Sequence, residues 1–116
     1  MKFYQYSKCS TCKKAQKWLG DNQIEIDTID IVESPPSKTA LKKYWKASGL
    51  PLQKFFNTSG QSYRQGNFKE KLKTMSDDDA LNALAADGKL IKRPLLTDGQ
   101  TILVGFKNLD YQERLL

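Results

Sequence analysis

Cys9 and Cys12 are the only thiols in this chain of 116 residues, and they stand as Cys9-Ser10-Thr11-Cys12. That spacing is one helical turn, which puts the second sulfur within reach of the first for a disulfide. Lys8, Lys13 and Lys14 crowd the pair. Nearby cations and the positive end of a helix favour thiolate over thiol, and the thiolate is the nucleophile. On this reading Cys9 attacks a substrate disulfide or an oxyanion, and the more buried Cys12 resolves the mixed adduct. The chain has no histidine. Imidazole is therefore excluded as general base, as partner to a nucleophile and as metal ligand, and electrostatics must do what a base does elsewhere. Against this stands a plainer reading, two small apolar residues on a helix, although a core pair does not normally sit in a lysine-flanked loop. Two cysteines are too few for a closed four-cysteine zinc site or for a disulfide framework. A zinc shared between two chains stays as a minor alternative, and no metal or bound cofactor is expected.

Arg93-Pro94 is the second feature. A proline just before a β-prone run can form a cis bond that turns the chain sharply. Arg93 would then bind an anionic substrate or stabilise the Cys9 thiolate with its planar pair of donors. The alternative is a trans proline opening an edge strand beside a solvated arginine. Lys8, Ser10, Thr11, Pro94 and Arg64, the last in the loop after Tyr63, complete the expected substrate-binding set; for Arg64, plain surface charge is the competing reading.

The flanking pattern says what holds these residues. Lys2 to Tyr6 is short, aromatic and β-prone, so it predicts a buried strand. Ser10 reads as the N-cap of a helix running to about Leu19, with Gly20 as its stop. Ile24 to Val32 alternates and is β-branched, which predicts the second strand. Strand, helix, strand at these lengths fits a right-handed parallel crossover. C-x-x-C beside such a unit reads as a thioredoxin-like redox motif. Ser34-Pro35-Pro36-Ser37 closes the unit. A helix with Leu41, Tyr44, Trp45 and Ser48 on one face then ends at Gly49. A short helical stretch holds Phe55 and Phe56, Asn57-Thr58-Ser59-Gly60 is a polar loop, and Phe68, Leu72 and Met75 suggest another turn or two. Ser76 followed by Asp77, Asp78 and Asp79 is a strong helix start. Leu95-Leu96-Thr97 and Thr101 to Val104 flank a hairpin turn at Asp98-Gly99-Gln100, and Asn108 reads as the cap of a last helix. The expected architecture is α/β: one domain over residues 1–116, a four-stranded mixed sheet, and a helical insertion over 34–90 between the second and third strands.

Net charge is +6, but residues 34–73 hold nine basic side chains against one acid, Glu70. Such a field favours anions or acidic partners; a solvated helical surface explains it equally well. No helix-turn-helix or aromatic-laced basic stripe points to direct nucleic-acid binding. No apolar run approaches the ~20 residues of a membrane span, and the N-terminus lacks a signal-peptide core, so the expectation is a soluble cytoplasmic protein, as a monomer.

At these residues the chain resembles the glutaredoxin-like arsenate reductase (ArsC) family, in the branch that also holds Spx-type regulators. The resemblance covers nearly the whole chain. Its anchors are Tyr6-Ser7-Lys8-Cys9-Ser10-Thr11-Cys12-Lys13-Lys14-Ala15, the stretch from Phe56-Asn57-Thr58-Ser59-Gly60 to Tyr63-Arg64, Lys92-Arg93-Pro94-Leu95-Leu96, and Val104-Gly105-Phe106. It implies a thioredoxin-like fold with a helical insertion, Cys9 as nucleophile, and Arg93 before a cis proline. Family arsenate reductases bind the oxyanion with three arginines and use one cysteine with glutathione and glutaredoxin. Here Arg64 and Arg93 match two of those arginines, the third region offers Gly105 and Lys107, and Cys12 supplies an internal resolving thiol. The implied substrate is a small thiol or oxyanion, or a thiol-redox partner protein, with glutathione and glutaredoxin, or thioredoxin, as donor. The Spx resemblance implies another role, a C-x-x-C redox switch that binds the α subunit of RNA polymerase.

Overall fold

A computed structural model describes residues 1–116. Strand β1, Lys2–Gln5, pairs in parallel with β2, Asp27–Asp30, so that Phe3 faces Thr28 and Tyr4 faces Ile29. On its other side β1 runs antiparallel to β3, Leu95–Thr97, which pairs in turn with β4, Ile102–Val104. The sheet order is β2-β1-β3-β4. This is the four-stranded mixed sheet that the strand count and the crossover predict.

Successive strand side chains point to opposite faces, and the core divides accordingly. Phe3, Leu96 and Leu103 pack on one face with Ala15, Leu19 and Tyr111. Tyr4, Leu95 and Ile102, each one residue away, pack on the other with Ile31, Leu41, Tyr44, Leu84 and Ile91. Helix α1, Ser10–Asp21, and helix α6, Asn108–Leu115, thus cover the first face. The second is covered by the run between β2 and β3: α2 (Lys38–Ser48), α3 (Gln61–Gln65), α4 (Phe68–Lys71), α5 (Asp77–Ala86) and two 3-10 turns, Leu52–Phe55 and Gly88–Leu90. No helix is long and apolar enough to cross a membrane.

Local chemistry sets the helix ends. Ser37 Oγ accepts the Ala40 N–H at 3.1 Å, and α2 ends on Gly49 with φ +69°. Ser76 Oγ accepts the Asp79 N–H at 3.1 Å, with Asp77, Asp78 and Asp79 in the positive first turn of α5.

Five boundaries differ from the sequence reading. The second strand spans only Asp27–Asp30, because its sole partner β1 has four residues. Beyond it the Asp30 carboxylate accepts the Val32 and Glu33 N–H groups and turns the chain. Gly20 does not stop α1. The helix runs to Asp21, Gln23 takes the left-handed position at φ +61°, and Ile24 N–H closes back on the Leu19 carbonyl at 2.9 Å. The α1 cap is Cys9 rather than Ser10, which is the first helical residue. Arg64 lies on the short helix α3, not in a loop. Asn108 does not cap α6; it is that helix's first residue, and its Oδ1 instead accepts the Trp18 indole N–H at 3.0 Å, tying α6 to α1.

Candidate functional site

The site forms where β1 hands over to α1. Cys9 N–H bonds the Tyr6 carbonyl at 3.0 Å, which folds the connection tightly. Cys9 then takes the N-cap position, and its Sγ accepts the Cys12 N–H at 3.2 Å. A capping oxygen of serine or aspartate ordinarily fills this role; here the capping atom is a sulfur. Cys9 is half-buried, Cys12 is fully buried, and both are free thiols. Burial pushes the Cys12 thiol up to about 12, and the neighbouring Cys9 sulfur adds to the rise. Cys12 is therefore held as a thiol at neutral pH, one turn behind the accessible sulfur.

Cys9 opens into a cleft of ≈ 510 Å³. Its floor and near side come from Lys8, Cys9, Ser10 and Thr11 of the β1–α1 connection. Asn57, Ser59 and Gly60 form one rim, Lys92 and Arg93 a second, and Val104 to Lys107 a third. Four cationic side chains, Lys8, Lys92, Arg93 and Lys107, face this space, and no carboxylate does. The walls meet because short stretches of chain pair. Phe56 bridges Ile91, Asn57 N–H bonds the Leu90 carbonyl at 2.8 Å, and Lys92 N–H bonds the Phe55 carbonyl at 2.8 Å. Gly105 N–H bonds the Pro94 carbonyl at 2.8 Å, which joins the third rim to the second.

The Arg93–Pro94 peptide is cis. Arg93 shares the cleft with Cys9, and its guanidinium is held on two sides. Nη1 donates to the Lys89 carbonyl at 3.1 Å, and the planar group lies over the Tyr6 ring at 5.1 Å. Pro94 itself is buried beneath the rim.

These elements in this order match a known family over almost their full length: the ArsC family model aligns with residues 4–114. The chain belongs to the ArsC family. Among curated relatives, YusI of Bacillus subtilis (strain 168) is 57% identical over 111 residues, covering 96% of this chain and 94% of that one. A solved structure described as a possible arsenate reductase from Streptococcus mutans UA159 superposes with a TM-score of 0.88 at 46% identity, covering 96% of each chain. The regulatory protein MgsR of Bacillus subtilis (strain 168) is 26% identical over 104 residues, covering 90% of this chain and 81% of that one. The family's thioredoxin-like fold agrees with the sheet and helices described above.

Within this ArsC fold, the residues expected from sequence do not all converge. Cys9, Lys8, Ser10, Thr11 and Arg93 line one cleft, with Cys12 behind Cys9 and Pro94 under the rim. Arg64 is exposed on α3 and lines none of that cleft. The tight turn of α3 and α4 seats Tyr63 on Phe68 at 6.2 Å between ring centroids and Phe68 on Phe56 at 5.7 Å; Arg64, next along the chain, stays in solvent. Lys92 and Asn57 are among the lining residues that the sequence reading names only as part of the resemblance, without a role in binding. The signal that could have found them is the Phe56–Ile91 bridge, a pairing between segments 35 positions apart.

Proposed function

We propose that this ArsC chain is a thiol–disulfide oxidoreductase in which the Cys9 thiolate attacks and Cys12 resolves. The observation that carries this is the arrangement of the two sulfurs: Cys9 capping α1 at the mouth of a cationic cleft, and Cys12, which donates its N–H to that sulfur at 3.2 Å, sealed behind it. A sulfur that accepts a backbone N–H at a helix start, among cations, is well placed to carry negative charge. Attack on a disulfide forms a bond between Cys9 and one substrate sulfur and expels the other as a thiolate, which takes up a proton. Cys12 then gives up its proton and attacks the Cys9 sulfur. A Cys9–Cys12 disulfide forms and the second substrate thiol leaves. The protein loses two electrons and the substrate gains them.

Arg93, Lys8, Ser10 and Thr11 bind the substrate in this proposal, under the cis Pro94; Arg64 could join them only through a substrate that extends beyond the cleft. Arsenate is one candidate oxyanion substrate, supported by the similarity to the Streptococcus mutans protein. Reduced glutathione with glutaredoxin, or thioredoxin, is the proposed donor. The proposed setting is the cytoplasm, with the chain as a monomer and a single domain in which residues 34–90 are a helical insertion. Titration against glutathione redox buffers, read by mass spectrometry, tests the proposal. A Cys9–Cys12 disulfide that appears and disappears with the buffer potential supports it; two thiols that persist across the whole accessible range end it.

A second reading is favoured by the similarity to MgsR and by the basic middle of the chain. In it the same thiol pair gates binding to a partner, the α subunit of RNA polymerase, with no direct contact to nucleic acid. Pull-down with the purified C-terminal domain of that subunit, with this chain reduced and oxidised, separates the two. Binding that depends on redox state supports the regulator; no binding in either state removes it.

A further inference from the structure

We infer that Lys92, laid across the bare face of Gly105, makes the cleft selective for anionic, carboxylate-bearing disulfides. The inference rests on the thiol-exchange reading above and adds the substrate class and the residue that sets it.

The backbone of Lys92 is fixed. Its N–H bonds the Phe55 carbonyl at 2.8 Å, and its predecessor Ile91 bridges Phe56. From that anchor the side chain runs over Gly105. A Cβ at 105 would come within 3.0 Å of Lys92 Cε and 3.8 Å of its Nζ. Gly105 also has φ +77°, a conformation that L side chains rarely adopt. The glycine therefore does two things at once: it takes the left-handed turn after β4, and it leaves the space through which the lysine reaches the cleft.

The charge at the end of that side chain is uncommitted. The chain's three ion pairs are Lys17–Asp21, Lys38–Asp78 and Lys73–Glu70, and none involves a cleft residue. Arg93 differs, with one nitrogen on the Lys89 carbonyl and its face on Tyr6. Carboxylates do occur nearby, at Asp110 and Glu113; they line the adjoining groove, which Lys92 and Lys107 also border, and neither pairs with Lys92 or lines the cleft that holds Cys9. The only charged side chains that a substrate meets in the Cys9 cleft are thus cations. An unpaired ammonium on a four-carbon stem is the group that can follow a carboxylate of variable reach, whereas a pinned guanidinium cannot.

Cations gathered in a concave, carboxylate-free wall raise the local concentration of anions and their rate of encounter, and salt screens the effect. The test measures the rate at which Cys9 attacks three symmetric disulfides: dithiodipropionate (anionic), hydroxyethyl disulfide (neutral) and cystamine (cationic). Each rate is divided by that of free 2-mercaptoethanol, a thiol with no other charge, with the same disulfide, which removes differences in leaving-group chemistry without adding a charge preference of its own. The wild type is expected to favour the anionic over the neutral disulfide by about tenfold at low salt, and the preference should shrink in salt of about 0.5 M. Lys92→Ala should lower that ratio by about threefold to fivefold, the size of one exposed charge interaction. Lys92→Arg should restore it, which separates charge from fold. An equal ratio in wild type and Lys92→Ala, a ratio indifferent to salt, or cystamine reacting as readily as dithiodipropionate overturns the inference while the thiol-exchange reading stands. A Cys9 inert to all three disulfides overturns both.

Discussion

The backbone N–H of Cys12 meets the sulfur of Cys9 at 3.2 Å, so each cysteine is defined by the other. One is the cap of α1, and the other is a buried member of its first turn. Removing either sulfur should have opposite chemical consequences. Cys9→Ser should abolish adduct formation with a small disulfide, although serine keeps a capping oxygen and the helix should stay folded. Cys12→Ser should instead accumulate a stable mixed disulfide on Cys9, because nothing remains to expel the second thiol. Intact-protein mass spectrometry distinguishes the two. Identical behaviour in the two variants would remove the assigned roles.

Burial gives Cys12 a pH signature. Its folded value of about 12 lies above the ordinary thiol value of about 8.5. The folded state therefore holds this proton more tightly than the unfolded chain. That stabilisation is complete below about pH 8.5 and is lost as pH rises through about 12. Urea unfolding of the reduced protein, run from about pH 8 to about pH 11, should show wild type losing stability relative to Cys12→Ala. Groups remote from Cys12 are common to both proteins and largely cancel in the difference. A constant gap across the range would mean that Cys12 carries no excess proton affinity. In the same protein at about pH 8, iodoacetamide should label Cys9 and reach Cys12 only after unfolding.

Arg93 combines a structural hold with a position facing the substrate. Arg93→Ala forfeits the bond to the Lys89 carbonyl and the contact with Tyr6, together worth about 1–2 kcal/mol at a part-exposed site. Chemical denaturation measures that cost. The variant should also weaken the protection that an oxyanion such as sulfate or arsenate gives Cys9 against alkylation. Arg93→Lys keeps the charge but loses the planar fork, so it should recover part of the anion effect and little of the stability. If both variants bind the anion as wild type does, Arg93 only braces the rim.

How much of this was visible in the residues alone depends on how far apart the interacting residues lie. The one-turn spacing of Cys9 and Cys12 was legible because helical spacing is local, although the cap fell on Cys9 and not on Ser10, since a sulfur can fill the place of a capping oxygen. The sheet was legible because the strands alternate faces, as Phe3 and Tyr4 do. Gly20 misled because a glycine near a helix end usually marks the stop, whereas here Gln23 takes the left-handed residue and the helix continues past Gly20. That Lys92 lines the cleft and Arg64 does not has one physical reason. Which of the two reaches the cleft depends on how residues 55–57 pair with 90–92 and on how α3 stacks its aromatics, and neither has a local signature.

Two glycines differ sharply in what they tolerate. Gly88 sits where the chain leaving α5 crosses the end of β2, and a Cβ there would run into the Ile31 carbonyl oxygen and lie 3.0 Å from Val32 Cα. Both are backbone atoms, so no side-chain rotation can relieve the clash. Ile31 is fully buried and its N–H bonds the Gln5 carbonyl at 2.9 Å, so the strand cannot retreat without breaking a sheet contact. Gly88→Ala should therefore cost about 3 kcal/mol or more, within the range of severe core overpacking. Gly20 presents the reverse case. It lies inside α1, is exposed, and a Cβ there meets nothing within 4 Å. Gly20→Ala should stabilise the protein by about 0.5–1 kcal/mol through reduced backbone freedom in the unfolded chain. Thermal melts of the two variants, side by side, should move in opposite directions. A neutral Gly88→Ala would mean that the α5 to β2 crossing has more room than the packing at Ile31 allows.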